Sequence, residues 1–361
     1  MRLFKRIALV LLTILIIYAS HVLISTGFFR KIKPEFDGKI LAKVALKGAE
    51  DIMISHTDSF ALISSTNRII YPPGAEEEGG LFLIDLKTNR FEPIPLTNAF
   101  NQPFAPHGIS FFKKDSLFTV MAVNHTGEGH SIEVFELWDK ELKHVKTLKH
   151  PSMVSPNDLV MVDENRFYFT NDHRYTKGLG KVIEEYAGLS VSNVVYFDSN
   201  EYREVADGIA YANGINYDRN LDLVYVASPR KFLVKVFSKQ ADGSLSFIEN
   251  IPCGTGVDNI ELDMDGNLWI GAHPNLLRFG SYAKGKKATS PSEIIKINYQ
   301  NTGEYSVEKV YVEEGTEMSA SSVATNFGNL IFAGSVMDDE FLILERSDQD
   351  TSKKFPSQKG K

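Results

Sequence analysis

Cysteine is nearly missing from this chain: Cys253 is the only one among 361 residues. No intramolecular disulfide can form, and no thiolate zinc spacing is present. A lone cysteine among apolar neighbours reads as a small buried hydrophobe. Past Lys33 the helical apolar period is almost absent, which excludes a helical bundle for the body. There is no G-x-S-x-G elbow anywhere, so a serine hydrolase is excluded. Gly254-Thr255-Gly256 lacks a third glycine and leads into a strand, so it is no phosphate loop. Acidic residues are missing from the first 33 positions, which carry Arg2, Lys5, Arg6, Arg30, Lys31 and Lys33. The remainder therefore holds 33 basic against 46 acidic residues, a balance of −13, and such a surface repels a phosphate backbone. Nucleic acid is not an expected partner.

What the chain does have is apolar and aromatic bulk, with 43% hydrophobic residues, 24 Phe and 14 Tyr, enough for a large core. Ile7 to Phe29 is a 23-residue stretch without formal charge, long enough to span a bilayer. Ala19-Ser20-His21 and Ile24-Ser25-Thr26 are poor cleavage sites, so residues 1–33 read as an uncleaved signal anchor; a cleaved segment would leave the protein secreted. Three basic residues precede the span and three follow it, leaving the charged amino terminus to favour N-in, with the body extracytoplasmic. Asn124-His125-Thr126 matches a glycosylation sequon.

Short apolar runs dominate the body, among them Leu81 to Leu86, Ser131 to Leu137, Arg166 to Thr170, Leu223 to Ala227 and Asn267 to Gly271. They are separated by turn residues such as Asp242-Gly243 and Asp265-Gly266, so the fold is expected to be all-β. A polar pair followed by a branched or apolar residue recurs at Glu50, His107, Asn157, Asn213, Asn259 and Ser322, at intervals of 57, 50, 56, 46 and 63. Six copies near 50 residues match a four-stranded blade and predict a six-bladed β-propeller over 36–345, with a polar tail over 346–361 expected to be disordered. Val182 to Leu189 is a helix candidate that either roofs a pocket or fills a connection, and Tyr71 to Gly80 is a loop expected to border the same face.

The first strand of every blade lines the channel, so equivalent repeat positions converge on one axis. Apart from His107, those positions supply Glu50, Asn157, Asn213, Asp258 and Asn259: two carboxylates and three amides. Oxygen-only donors of modest charge suit Ca²⁺ better than Zn²⁺ or Mg²⁺. Singly, each is equally well read as a turn former. Asp51 and Asp158 follow a proposed ligand by one residue, and they either hold a second cation or are hydrogen-bonded carboxylates. Asp263-Met264-Asp265-Gly266 lacks EF-hand spacing and reads as a hairpin turn.

The strings Gly48-Ala-Glu-Asp51, Pro106-His-Gly-Ile-Ser110, Val123-Asn-His125, Pro156-Asn-Asp-Leu-Val160, Phe167-Tyr-Phe-Thr-Asn-Asp-His173, Ala212-Asn-Gly-Ile-Asn216, Asp258-Asn-Ile-Glu-Leu-Asp263 and Leu268-Trp-Ile-Gly-Ala-His-Pro-Asn275 resemble the serum paraoxonase/arylesterase family, in order, from about Phe36 to Leu344. The resemblance implies a six-bladed propeller with two calcium ions in its channel that hydrolyses lactones, aryl esters and sometimes phosphotriesters. It implies a catalytic calcium on Glu50, Asn157, Asn213, Asp258 and Asn259, and a structural calcium on Asp51, Asp158 and the Ile109 carbonyl. It places a histidine dyad on His107 and His125, and pocket positions on Asp172, His173 and His273, with Tyr71 a further pocket candidate. The cysteines that tie the propeller ends together in vertebrate members are absent, so ring closure must rest on strand pairing, and Ala272 stands where those members carry a free cysteine.

The expected chemistry is calcium-assisted attack of water on a lactone or ester carbonyl, with His107 as base supported by His125 and with Asn157 and Asn213 adding amide donors. His130 has no counterpart in the family strings, and His21, His56, His144 and His150 read as surface or segment-end residues. Two other readings compete. One is a tethered propeller that binds a partner and uses calcium only to hold its channel closed; the other is a sugar lactonase of the wider propeller group. The Val182 to Leu189 segment is also expected to touch a membrane or a lipophilic substrate.

Overall fold

The structure, a computed structural model, describes residues 2–68, 79–88 and 90–347. Tyr71, most of the 71–80 loop and the tail from 348 onward lie outside the described residues; Gly79 and Gly80 open a strand instead of closing a loop. Six antiparallel sheets are arranged radially. Their innermost strands are Ala49–Ser55, Pro106–Lys114, Pro156–Met161, Ile215–Asp218, Gly256–Leu262 and Ser321–Phe327, one for each of blades 1 to 6. Each inner strand packs on the next, and the last returns to the first. Glu50, His107, Asn157 and Ser322 fall on the second residue of their inner strands, Asn213 lies two residues before its strand, and Asn259 lies in the middle of its own.

Ring closure is made by Gly38–Ala45, which pairs antiparallel with Glu340–Arg346 and so supplies the outer strand of blade 6 from the start of the body. This is the strand pairing that replaces the missing disulfide. One apolar cluster fills each of the six blade interfaces. Between blades 1 and 2, for example, lie Leu62, Leu81, Ile109 and Val120, whereas Ala61 and Ile63 point the other way, against Phe332 and Ile343 of blade 6. Successive side chains of a strand face opposite sides, so a middle strand buried on both faces must be apolar throughout, as Phe60-Ala61-Leu62-Ile63 is. Each fully buried side chain of this kind contributes roughly 1.5–3 kcal/mol.

Helix α1, Arg2–Ser25, is exposed from Leu3 to His21 and half-buried at Val22, Leu23 and Ser25, and its Leu3–Ser25 stretch has a mean hydropathy of 2.6 and is long and apolar enough to cross a membrane. It ends where the chain docks on blade 5. The Leu276 N–H donates to the Thr26 carbonyl at 2.9 Å, and the Arg30 guanidinium grips the fully buried Glu293 carboxylate with two bonds of 2.7 and 2.6 Å. Arg30 is therefore a buckle and not a free flanking charge, which leaves three basic residues before the span and only Lys31 and Lys33 after it.

Helix α2, Gly178–Ala187, realises the predicted helix candidate, and Gly188 ends it in the left-handed region at φ 62°. Helix α3, Leu276–Ala283, was not expected; Asn275 caps it by accepting from the Arg278 N–H, the one local signal that marked it. Both helices connect the second and third strands of their blades. Because neighbouring strands are antiparallel, those connections lie on the face where the inner strands begin. The Asp263–Gly266 turn is a hairpin turn as read, its Asp263 carboxylate occupied by the Asp265 and Asn267 N–H groups and by Trp269.

Candidate active site

Glycines let the inner strands approach one another. A Cβ on Gly108 would lie 2.5 Å from the Asp158 Cα, and one on Gly214 would lie 2.6 Å from the Asn259 Cα. Only glycine fits there. Within the channel so formed, Glu50, Asn157, Asn213, Asp258 and Asn259 are all buried.

Their hydrogen bonds fix which atoms face the axis. The Asn259 amide nitrogen donates to the Glu50 carbonyl at 3.1 Å and to Glu50 Oε1 at 2.8 Å. The Asn157 amide nitrogen leans on Asp172 Oδ2 at 3.4 Å. Left over are Glu50 Oε2, Asn157 Oδ1, Asn213 Oδ1 and Asn259 Oδ1, four buried oxygens with no hydrogen-bond partner. An unmet buried acceptor costs about 1–3 kcal/mol, so four at one place mark a cradle for a cation. Blade 6 contributes no oxygen to it; the Ser322 hydroxyl donates to the Glu50 carbonyl at 2.6 Å and holds that strand in place. Among the described residues no group of three or more His, Cys, Asp and Glu forms a metal site by itself. The amides are essential to the set, and an all-oxygen set fits calcium.

The Asp51 and Asp158 pair is also buried. Asp51 Oδ2 accepts the Ile109 N–H at 2.8 Å while its Oδ1 has no partner; Asp158 accepts the Leu159 N–H at 2.7 Å and the Ile215 N–H at 2.8 Å. Burial, reinforced by the charges of their neighbours, pushes both carboxyls well above their usual range. Glu261, which the sequence reading passed over, is buried on the inner strand of blade 5, and burial together with the Asp51 and Asp158 charges raises it too.

The histidines occupy the mouth. His107 Nδ1 lies 3.1 Å from the Asn157 carbonyl. A carbonyl only accepts, so Nδ1 carries the proton and Nε2 keeps a free lone pair. Burial first, then the Arg68 charge, lowers its pKa to about 3, which keeps the ring neutral. The His125 ring meets His107 edge to face, with centroids 5.2 Å apart. His273 Nε2 donates to Asp258 Oδ2 at 2.8 Å, and its ring stacks on Phe279 of α3. His173 Nδ1 donates to Asp172 Oδ1 at 2.7 Å. Against burial, that bond and the Ser155 hydroxyl hold Asp172 at about 2, and Asp172 in turn raises His173.

The proposed residues are thus gathered at one place, apart from Tyr71, which lies outside the described residues. The Asn157 amide nitrogen turns one of its two hydrogens toward Asp172 Oδ2. Residues that the sequence reading missed are Ser155, Glu261, Tyr211, whose ring packs edge-on against His173, and Arg68, which donates to the Pro106 carbonyl at 2.8 Å. The Asn124 sequon is buried, its side-chain oxygen taking the Ala105 N–H and its nitrogen serving Pro103 and Glu133, so the folded protein presents no acceptor there. Cys253, read as a buried hydrophobe, is half-buried against the apolar cluster between blades 4 and 5, and burial pushes its thiol to about 12.

A six-bladed propeller with an axial oxygen cradle and a neutral His107 beside it fits a metal-assisted propeller hydrolase. The arylesterase family model matches residues 38–342, and the chain belongs to that family of ester hydrolases. It is 33% identical over 300 residues to serum paraoxonase/arylesterase 2 of Gallus gallus, covering 80% of this chain and 83% of that protein. It is 33% identical over 322 residues to serum paraoxonase/arylesterase 1 of Homo sapiens, covering 85% and 89%. Among solved structures, a luciferin-regenerating enzyme superposes with a TM-score of 0.52 at 13% identity over 88% of this chain and 96% of that one. A putative gluconolactonase gives 0.52 at 12% identity over 88% and 95%. These two share the fold alone.

Proposed function

We propose that this protein is a calcium-dependent hydrolase of lactones and aryl esters with two ions on the propeller axis. The first would be held by Glu50, Asn157, Asn213, Asp258 and Asn259, the second by Asp51, Asp158 and the Ile109 carbonyl. The observation that carries the reading is the set of three partnerless buried amide oxygens with Glu50 Oε2, which the neutral His107 approaches, its Nδ1 at 3.3 Å. Bound calcium supplies a Lewis acid for the substrate carbonyl oxygen and for the negative charge that builds on it.

The chain's own residues do the rest. His107 offers Nε2 to a water molecule; as the water oxygen bonds to the acyl carbon, its proton passes to Nε2, and a proton is given to the departing alkoxide or phenoxide when the acyl C–O bond breaks. Asp172 orients Asn157 and His173, and Asp258 orients His273, so the mouth is held by paired groups.

The anchor is read as α1 with the amino terminus inside and the propeller extracytoplasmic, which three basic residues before the span against Lys31 and Lys33 after it, with Arg30 held by Glu293, support. Leu179, Val182, Ile183 and Tyr186 of α2 are exposed, and several share an apolar groove with Tyr18 and Val22 of α1. The site mouth therefore opens toward the lipid side, which favours lipophilic substrates.

The test is hydrolysis of a panel of acyl lactones, aldonolactones and aryl esters by the full chain in detergent, with calcium, after chelation and after calcium is restored. Turnover of acyl lactones and aryl esters that is lost and regained with calcium is expected. A folded, calcium-binding protein with no ester turnover would instead be a binding propeller, and turnover of aldonolactones alone would make it a sugar lactonase.

A further inference from the structure

The hairpin that joins Leu117–Thr126 to Gly129–Trp138 in blade 2 pairs His125 with His130 across the strands. Their Nδ1 atoms lie 2.9 Å apart and their rings meet at 80°, 4.8 Å between centroids. His125 in turn packs on His107. The three imidazoles thus sit on the first, second and third strands of blade 2, all half-buried, with the exposed residues 127–129 beside the His125 and His130 pair. The backbone anchors the middle member, since the His125 N–H donates to the Ala105 carbonyl at 3.1 Å.

Two Nδ1 atoms at this distance share one hydrogen, because with both bare there is no bond and with both protonated the hydrogens collide. The tautomers of His125 and His130 are therefore locked together. When the shared hydrogen sits on His130, His125 carries its own on Nε2; when it sits on His125, His125 Nε2 is bare and His130 carries its second hydrogen position at Nε2, toward solvent. Movement between the two states needs no rotation of either ring. A proton entering at His125 Nε2 sends the shared hydrogen to His130 Nδ1, and the His130 Nε2 proton leaves to water: one proton in, one out.

We propose that His130 is the outer partner of His125 in a hydrogen-bonded relay, a positioning residue that sets the tautomer of His125 and passes protons between it and bulk water. The proposal rests on the hydrolase reading, which supplies the proton traffic. The groups that face the pair are His107, Asp172 and Arg68 toward His125, and Asp172 toward His130; burial lowers both rings and keeps them neutral between transfers.

The test uses the full chain in detergent, saturated with calcium, on an ester that the wild type hydrolyses. His130→Ala removes the partner, whereas His130→Asn keeps a hydrogen-bonding group near the Nδ1 position yet cannot pass a proton through. Both variants should lose about tenfold or more in kcat with KM unchanged, and added imidazole should restore H130A but not H130N. In ¹⁵N spectra of the histidine side chains, the His125 Nδ1 resonance should move from an averaged position in the wild type toward one extreme in H130A. Unchanged kcat in both variants overturns the proposal, and so does a loss that imidazole does not restore together with an unmoved His125 resonance. A wild type with no ester turnover refutes the hydrolase reading and the relay with it, whereas an active wild type matched by H130A refutes the relay alone.

Discussion

Asp51→Asn separates calcium binding from ordinary hydrogen bonding on the propeller axis. Asp51 uses one oxygen for the Ile109 N–H and leaves the other bare. An asparagine offers its carbonyl to the same N–H and puts its NH₂ where the bare oxygen was. The Ile109 N–H keeps its acceptor, and a buried charge raised in pKa by burial and by Glu50 disappears. Without calcium, the variant should therefore be at least as stable as the wild type. With calcium, it should lose the share of stabilisation that this site provides, because the NH₂ repels a cation. Ligand at 100 to 1,000 times its dissociation constant stabilises a protein by about 2.7–4.1 kcal/mol. For a body of roughly 300 residues, an unfolding entropy near 2.1 cal/mol/K per residue makes that about 4–7 °C. Melting each protein in calcium and in chelator measures it: the calcium-induced rise should shrink by about 4–7 °C in D51N, and titration calorimetry should count one ion fewer. An equal rise in both proteins would refute Asp51 as a ligand. A D51N protein that melts far lower in chelator would show that the carboxylate serves the fold and not a cation.

His107→Gln should reduce ester turnover at least about tenfold while leaving the calcium-induced rise in melting temperature intact; unchanged turnover would remove His107 as the base. Arg30→Ala strands Glu293 as a buried charge and should cost about 3 kcal/mol, read in thermal melts, with E293Q in the same chain recovering part of the loss. The Asp51 and Asp158 carboxyls are raised in the folded state, so the native protein binds more protons than the unfolded chain between the unfolded carboxylate pKa and the raised values. In chelator their contribution is full below about pH 4 and is lost as pH rises. The calcium-induced rise should therefore be larger at pH 8 than at pH 5, and a smaller rise at pH 8 would contradict the site.

The radial repeat and the anchor were legible from the sequence because both are local signals repeated or sustained. A span is contiguous, and a blade returns its inner strand about every 50 residues, so Glu50, His107, Asn157, Asn213 and Asn259 could be aligned without knowing any distance. Other parts were not legible. Helix α3 announces itself only through the Asn275 cap, and Gly280 in its middle weakens the helical pattern. Glu261 stands in a family string without a role, and only the closed ring shows it buried on the inner strand of blade 5.

By itself, then, the order of residues determined the strand periodicity, the number of blades and which polar side chains sit at equivalent positions, since these depend on spacing along the chain. Tertiary structure decided what the same atoms face. Asn157 and Asn259 spend their amide nitrogens on Asp172 and Glu50, and that choice, made by neighbours 15 and 209 residues away, aims their oxygens at the axis. Arg30 meets Glu293 across 263 residues, and closure falls to Gly38–Ala45 because it is the strand left without a partner until Glu340–Arg346 arrives. Hydrogen-bond partners so far apart leave no spacing to read, and they exist only once burial has removed water as the competing partner.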